Sequence, residues 1–95
     1  MSDELKKAYQ EKVEAQLREW GSKIEELKSK AAGLGADAKI KALEKIEDLK
    51  KRMNQGNESL NQLKNSSEGD WEKMKSKVEG IVAGIKKSID DMMSG

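Results

Sequence analysis

Leu17, Trp20, Ile24, Leu27, Ala31 and Leu34 follow one another at steps of three and four residues, and the same rhythm returns as Ala42, Ile46, Leu49, Met53, Leu60 and Leu63. At 3.6 residues per turn these steps draw one narrow apolar seam along an α-helix and leave the rest of its circumference polar. A seam of this kind is stable only when another helix covers it. The last third of the chain differs. Trp71, Met74, Val78, Ile81, Val82, Ile85, Ile89 and Met92 spread over an arc of about 120° at 100° per residue, the widest apolar face in the sequence.

Punctuation divides the pattern into three helices. Ser2 is placed to cap the first, because its hydroxyl can accept a first-turn N–H, and Asp3 and Glu4 sit where the helix dipole favours negative charge. That helix is expected over about 3–32, ending where Gly33-Leu34-Gly35 offers two residues able to take positive φ. Asp37 is a candidate cap for a second helix over about 36–65. Along it, Glu47–Lys51 and Asp48–Arg52 are i,i+4 ion pairs in the favourable order, each adding about 0.2–0.5 kcal/mol. Asn54-Gln55-Gly56-Asn57 is its soft spot, since Gly costs about 1 kcal/mol relative to Ala in a helix. Ser67 with Asp70 resembles a capping box opening a third helix over about 69–93.

Helices of nearly matched length joined by short turns predict an all-α fold, a three-helix up-down-up antiparallel bundle or coiled coil forming a single domain over residues 1–95. In that arrangement Trp71 lies level with Leu60 and Leu63 on the second helix and with Leu5 and Tyr9 on the first, and Trp20 lies level with Leu49 and Ile85. A second topology fits the same pattern. The seam also runs on through the glycines as Leu27, Ala31, Leu34, Ala38, Ala42 and Ile46, a stutter that a continuous helix accommodates. One long helix would then pair with a second chain, the C-terminal helix folding back to complete a dimeric four-helix assembly. Gly33 and Gly35 together would cost that rod about 2 kcal/mol.

Composition narrows the class. A chain of 95 residues that is 39% charged, with no Pro, no Phe and one Tyr, suits helices and has a thin core. Nineteen Lys and Arg stand against eighteen Asp and Glu. Taken by thirds, residues 1–32 sum to zero, 33–66 to +2 and 67–95 to −1, so no basic arm or acidic tail exists and nucleic acid is not an expected partner. The opening Met-Ser-Asp-Glu-Leu-Lys lacks the basic and apolar regions of a signal peptide, and no apolar run approaches the roughly 18 residues of a membrane span. A cytoplasmic location is the expectation.

Candidate chemistry is sparse. With no His and no Cys, imidazole bases, thiolate nucleophiles and the usual zinc ligands are excluded. Glu25 with Glu26 and Asp90 with Asp91 point about 100° apart on a helix and read as solvated faces, not as cation sites. Every Lys lies within a charge-rich helical surface, and Ser66 and Ser67 are explained by capping, with no base to activate them. No catalytic, cofactor-binding or metal-binding residue is expected, and the chain is not expected to be an enzyme. Trp20 and Trp71 read as core residues, and Tyr9 stands where the seam loosens before Leu17. Gly80 and Gly84, with Ser76, Ala83 and Ser88, form a small-residue strip opposite the apolar face of the third helix.

One face carries a functional signal. Lys75 and Lys86 flank one edge of the arc that holds Trp71, Val78, Ile85 and Ile89, with Lys77 toward the other edge and Glu72, Asp90 and Asp91 farther round. Helices at lipid interfaces distribute charge in this way, and so do helices docked in bundles. The expected partners are therefore a second copy or another helical protein, and, as the alternative, a lipid surface taken up reversibly through the C-terminal helix.

Tyr9-x-x-Lys12-x-x-Ala15-Gln16-Leu17-x-x-Trp20-x-x-x-Ile24-x-x-Leu27, then Asp37-Ala38-Lys39, Ile46-x-x-Leu49 and Trp71 opening a last amphipathic helix, carry a likeness over nearly the whole chain. In these the sequence resembles the small bacterial coiled-coil-domain proteins of unknown function that are sometimes described as similar to apolipoproteins. The resemblance implies a helical, non-catalytic protein and brings no active site with it. Gly33, Gly35 and Gly56 stand where such proteins more often have helix formers, which weighs against a continuous rod.

Overall fold

A computed structural model describes residues 2–94, with three helices in the order α1 (Asp3–Ala32), α2 (Ala36–Lys64) and α3 (Trp71–Ser94). Ser2 opens α1 as its composition predicts, its Oγ accepting from the Leu5 N–H at 3.2 Å. The turn after Ala32 is closed by two tight bonds, Gly33 N–H to the Lys30 carbonyl and Leu34 N–H to the Ala31 carbonyl, both 3.1 Å. No glycine among the described residues takes positive φ. Gly33 stays in the right-handed region and Gly35 is extended, so the chain reverses without the left-handed step expected of that pair.

Gly35, not Asp37, is the N-cap of α2, and it caps with no side-chain bond. The turn is short enough that Asp37 is already inside the first turn, where its charge faces the dipole instead. Of the two expected pairs on α2, Asp48–Arg52 closes at 3.2 Å.

The second connection also shifts by a residue or two. α2 ends at Lys64, where Ser66 Oγ donates to the Leu63 carbonyl at 2.7 Å. Asp70 N–H donates to the Ser67 carbonyl at 3.1 Å, a turn that occupies residues 67–70, and α3 starts at Trp71 with the Asp70 carbonyl accepting from Met74. Ser67 Oγ donates to the Asp70 carboxylate at 3.2 Å and does not receive its N–H, so the expected capping box is replaced by a side-chain pair.

The helices form the up-down-up bundle, 51 × 18 × 17 Å. Glu14 on α1 pairs with Lys64 at the end of α2, Leu17 meets Gly56 one level further in, and Tyr9 meets Trp71, which fixes α1 and α3 parallel and α2 antiparallel to both. α3 lies chiefly against α2 and touches α1 more sparingly. Because the chain turns at Gly33–Gly35, the long continuous helix is not the state seen here.

α2 runs unbroken through Gly56, and the glycine has a packing role that helix propensity does not register. It is buried, and a Cβ built on it would lie 3.2 Å from Leu17 Cδ2 and 3.3 Å from Ile85 Cδ1. Both neighbouring helices close onto α2 at this point, and the missing side chain is what lets them approach. The loss in helix propensity is offset by that contact.

Candidate interaction surfaces

Of the predicted seam residues, Leu17, Trp20, Ile24, Leu27, Ile46, Leu49, Met53, Leu60, Leu63, Trp71, Val78, Ile85 and Ile89 are buried in one core, and Ile81 is half-buried against it. Leu34 leaves the seam. It sits in the turn at 46% exposure, because the chain has reversed before its helical position could be used. Leu5, placed beside Trp71 by helix registry, is also exposed, at 58%.

Three interior positions escape the periodic reading. Val13 is buried four residues before Leu17 and extends the seam that Lys6 and Gln10 obscure. Gly56 fills the seven-residue gap between Met53 and Leu60, and the gap itself was the signal. Ser59 is buried beside Leu60, and nothing in its polar side chain marks it.

The end of the bundle that holds the second turn is built from aromatic rings and ammonium groups. Tyr9 and Trp71 meet edge to face, centroids 5.7 Å apart and planes at 72°. Lys75 Nζ lies 5.2 Å from the Tyr9 centroid and 5.6 Å from that of Trp71, and Lys6 Nζ lies 5.7 Å from Trp71 while also pairing with Glu68. Each ammonium is within range of the ring quadrupole. Burial raises the Tyr9 phenol above its usual range, with Glu79 adding to the shift. The hydrogen bond from Lys6 holds the Glu68 carboxyl below its usual range, and that from Lys64 does the same for Glu14. Trp71 Nε1 is enclosed without a hydrogen-bond partner.

These placements bear on the face singled out for lipid. Trp71, Val78, Ile85 and Ile89 point into the bundle, Lys75 is turned in against the two rings, and Lys86 alone of the six is exposed. On the opposite side, Arg52 reaches from α2 across Gly84, 3.8 Å from where a Cβ would stand, to donate to Ser88 Oγ at 3.1 Å. Part of the small-residue strip is therefore a bed for an arginine that already holds Asp48. Gly80 is open.

The end that holds the first turn is different in kind. Leu34, Ile40 and Leu43 are exposed there, at 46%, 56% and 36%, among Ala and Gly of the turn and the Lys, Asp and Glu of α2, and Met93 is exposed at the end of α3. At 100° per residue Ile40 lies about 180° and Leu43 about 120° round α2 from the centre of its buried face, so both are turned away from α1 and α3.

Among the described residues no group of three or more acidic side chains is arranged to hold a metal ion, and no helix is long and apolar enough to cross a membrane. No protein-family model, curated protein or solved structure matches the chain.

Proposed function

We propose that this protein is a non-catalytic helical interaction module that acts through its outer surfaces, by self-association or by holding another helical protein. The observation that carries the reading is where the large apolar side chains go. Fifteen of the chain's hydrophobic residues close into a single core, while Leu34, Ile40, Leu43 and Met93 stay exposed toward the first-turn end and Leu5 at the other. Exposed apolar side chains of this kind, set among charges, suit a helical partner better than a small substrate. With it we propose a cytoplasmic setting and a kinship to the small bacterial coiled-coil proteins that the sequence resembles.

The test is capture and mass. Tagged protein is used to draw partners from native lysate, in parallel with light scattering of the purified chain, for the wild type and for Ile40→Asp with Leu43→Asp. The reading expects a defined complex, with self or other, and one held through the first-turn surface is weakened at least tenfold by the double variant. A turnover activity of the purified chain, lost on substitution of one Asp, Glu or Lys, would overturn it.

The alternative is a reversible lipid-surface binder. It draws on α3, which has the strongest separation of apolar and charged faces, with Lys86 at its edge. Since Trp71, Val78, Ile85 and Ile89 are at most 3% exposed, α3 must leave the bundle to reach lipid. Flotation with neutral and with anionic vesicles, read with a blue shift of Trp emission, supports this alternative; the absence of both signals removes it.

A further inference from the structure

We infer that the partner in self-association is a second copy of this chain taken up by exchange of hairpin halves. α1 and α2 straighten through residues 33–35 into one rod, and α1 of each copy packs on α2 of the other. The inference rests on the self-association reading above but seats the two copies through the exchanged core, so Leu34 alone of the exposed apolar residues is covered and Ile40 and Leu43 stay outside.

The turn is close to helical already. Gly33 is at φ −89°, ψ 0°, inside the right-handed region, and Gly35 has φ −66° with only its ψ of 164° away from helical values. What straightening breaks at the turn is two backbone bonds, Gly33 N–H to the Lys30 carbonyl and Leu34 N–H to the Ala31 carbonyl, and the i→i−4 bonds of a continuous helix replace them.

The two buried faces are in phase. Carried through the turn at 100° per residue, the buried positions of α1 and those of α2 centre within about 10° of each other. A hairpin does not need this, because its turn re-aims the second helix. A rod does. Straightening also recovers Leu34, exposed in the hairpin, since Leu27, Ala31, Leu34, Ala38, Ala42 and Ile46 then run as one seam.

Exchange keeps the rest of the core. Leu17 meets Gly56 of the second copy as it meets its own here, and α3 stays seated on the α2 of its own chain. What is added is the helical backbone of the hinge and the cover over Leu34. What is lost is the freedom of two separate chains and the tolerance of two glycines for a turn, so concentration sets the balance.

Pro at position 36 separates the two states. Ala36 is the first residue of α2, where Pro fits, and the residue before it is already extended, as Pro requires. In the rod the same Pro lies in a helix interior and costs roughly a hundredfold, or about 10⁴-fold for the two in a dimer.

The experiment refolds the chain from denaturant at rising concentration and measures mass by light scattering. A second sample carries energy-transfer dyes at Lys12→Cys and Asn61→Cys, mixed with excess unlabelled chain so that transfer within one chain is read. These sites lie at the same level of the hairpin, by the register that brings Leu17 to Gly56, and about 70 Å apart along a rod. The expected result is a dimer in which intrachain transfer is lost, with Ala36→Pro a folded monomer at every concentration. A dimer that keeps intrachain transfer, or one that survives in Ala36→Pro, overturns exchange and leaves self-association standing. A wild-type chain that stays monomeric throughout overturns both. Should Ala36→Pro not fold, the dye measurement decides alone.

Discussion

The two ends of this bundle are closed by different means. At the second-turn end, Trp71 and Tyr9 bring α3 against α1, Lys6 and Lys75 lie over their rings, and Glu68 and Glu14 add ion pairs between elements. At the first-turn end a three-residue connection with an uncapped glycine joins α1 to α2, and Leu34, Ile40 and Leu43 face outward. One end is organised around large side chains that contact several neighbours. The other is closed by aliphatic side chains alone, Leu27, Ala31, Ile46 and Ile89, with a backbone turn beyond them and further apolar groups left outside. Substitutions should therefore weigh very differently at the two ends.

The largest difference is expected from truncation. Trp71→Ala removes the ring that joins α1 to α3 and should lower the unfolding free energy by about 3–5 kcal/mol. Ile40→Ala, at a position 56% exposed, should change it by no more than about 0.5 kcal/mol. Urea melts of both variants make the comparison. A smaller effect at Trp71 than at Ile40 would mean that the aromatic cluster does not brace the fold.

Glycine gives the next contrast. At Gly56 the neighbouring methyl groups already stand at tight contact distance from a Cβ, so the two further methyls of Gly56→Val overpack the core and should cost about 1–3 kcal/mol. At Gly33 the nearest atom to a Cβ is the Lys30 carbonyl at an ordinary 3.6 Å and φ is negative, so Gly33→Ala should stabilise by about 0.4–1 kcal/mol through the unfolded chain. Thermal melts read as opposite shifts of midpoint check both signs.

These contrasts show which parts of the fold were legible. Period and punctuation gave the three helices and the long seam, because thirteen of the fourteen positions that carry it are bulky and apolar at helical spacing and are buried. The packing role of Gly56 was hidden because helix propensity sees only the local chain, while its value lies in contact with Leu17 and Ile85 on two other helices. Leu34 was misjudged for the converse reason: its spacing belongs to a helix that ends two residues earlier. The Tyr9–Trp71–Lys75 cluster was only half visible, since nothing local says that a lysine at the edge of an amphipathic face will turn inward over two rings. The surface reading rested on charge distribution alone, and burial moved the apolar exposure from α3 to the start of α2.

A smaller effect isolates the indole nitrogen from the ring. An enclosed N–H without a partner carries an uncompensated loss of hydration, in the range of about 1–3 kcal/mol for a buried donor. Trp71→Phe removes that donor and keeps an aromatic face for Tyr9, Lys6 and Lys75, at the expense of some packing volume. The two changes oppose each other, and the net shift should be within about 1.5 kcal/mol of zero, far short of Trp71→Ala. If Trp71→Phe is as damaging as Trp71→Ala, ring volume and not the ring's electrostatics holds this end.

The smallest expected effect is that of pH, and it should be confined to one end. Glu68 and Glu14 titrate below their usual range because Lys6 and Lys64 bond their charged forms. A depressed carboxyl contributes stability that is present above the unfolded value near 4 and is lost as pH falls through the folded value. Tyr9 works from the other side. Its phenol is raised, mainly by burial, so its contribution is complete below the unfolded value near 10 and fades as pH rises through the folded one. All three groups lie toward the second-turn end. Amide protection factors, corrected for intrinsic exchange, should therefore fall below pH 4 around residues 4–14 and 62–75 and hold around residues 24–45. Glu68→Gln should blunt the acid loss near Lys6 and leave the Glu14 side unchanged. Glu68 is solvent-exposed and Glu14 half-buried, so added salt should shrink the effect, more at Glu68 than at Glu14, which separates ion pairing from a general acid expansion of the bundle.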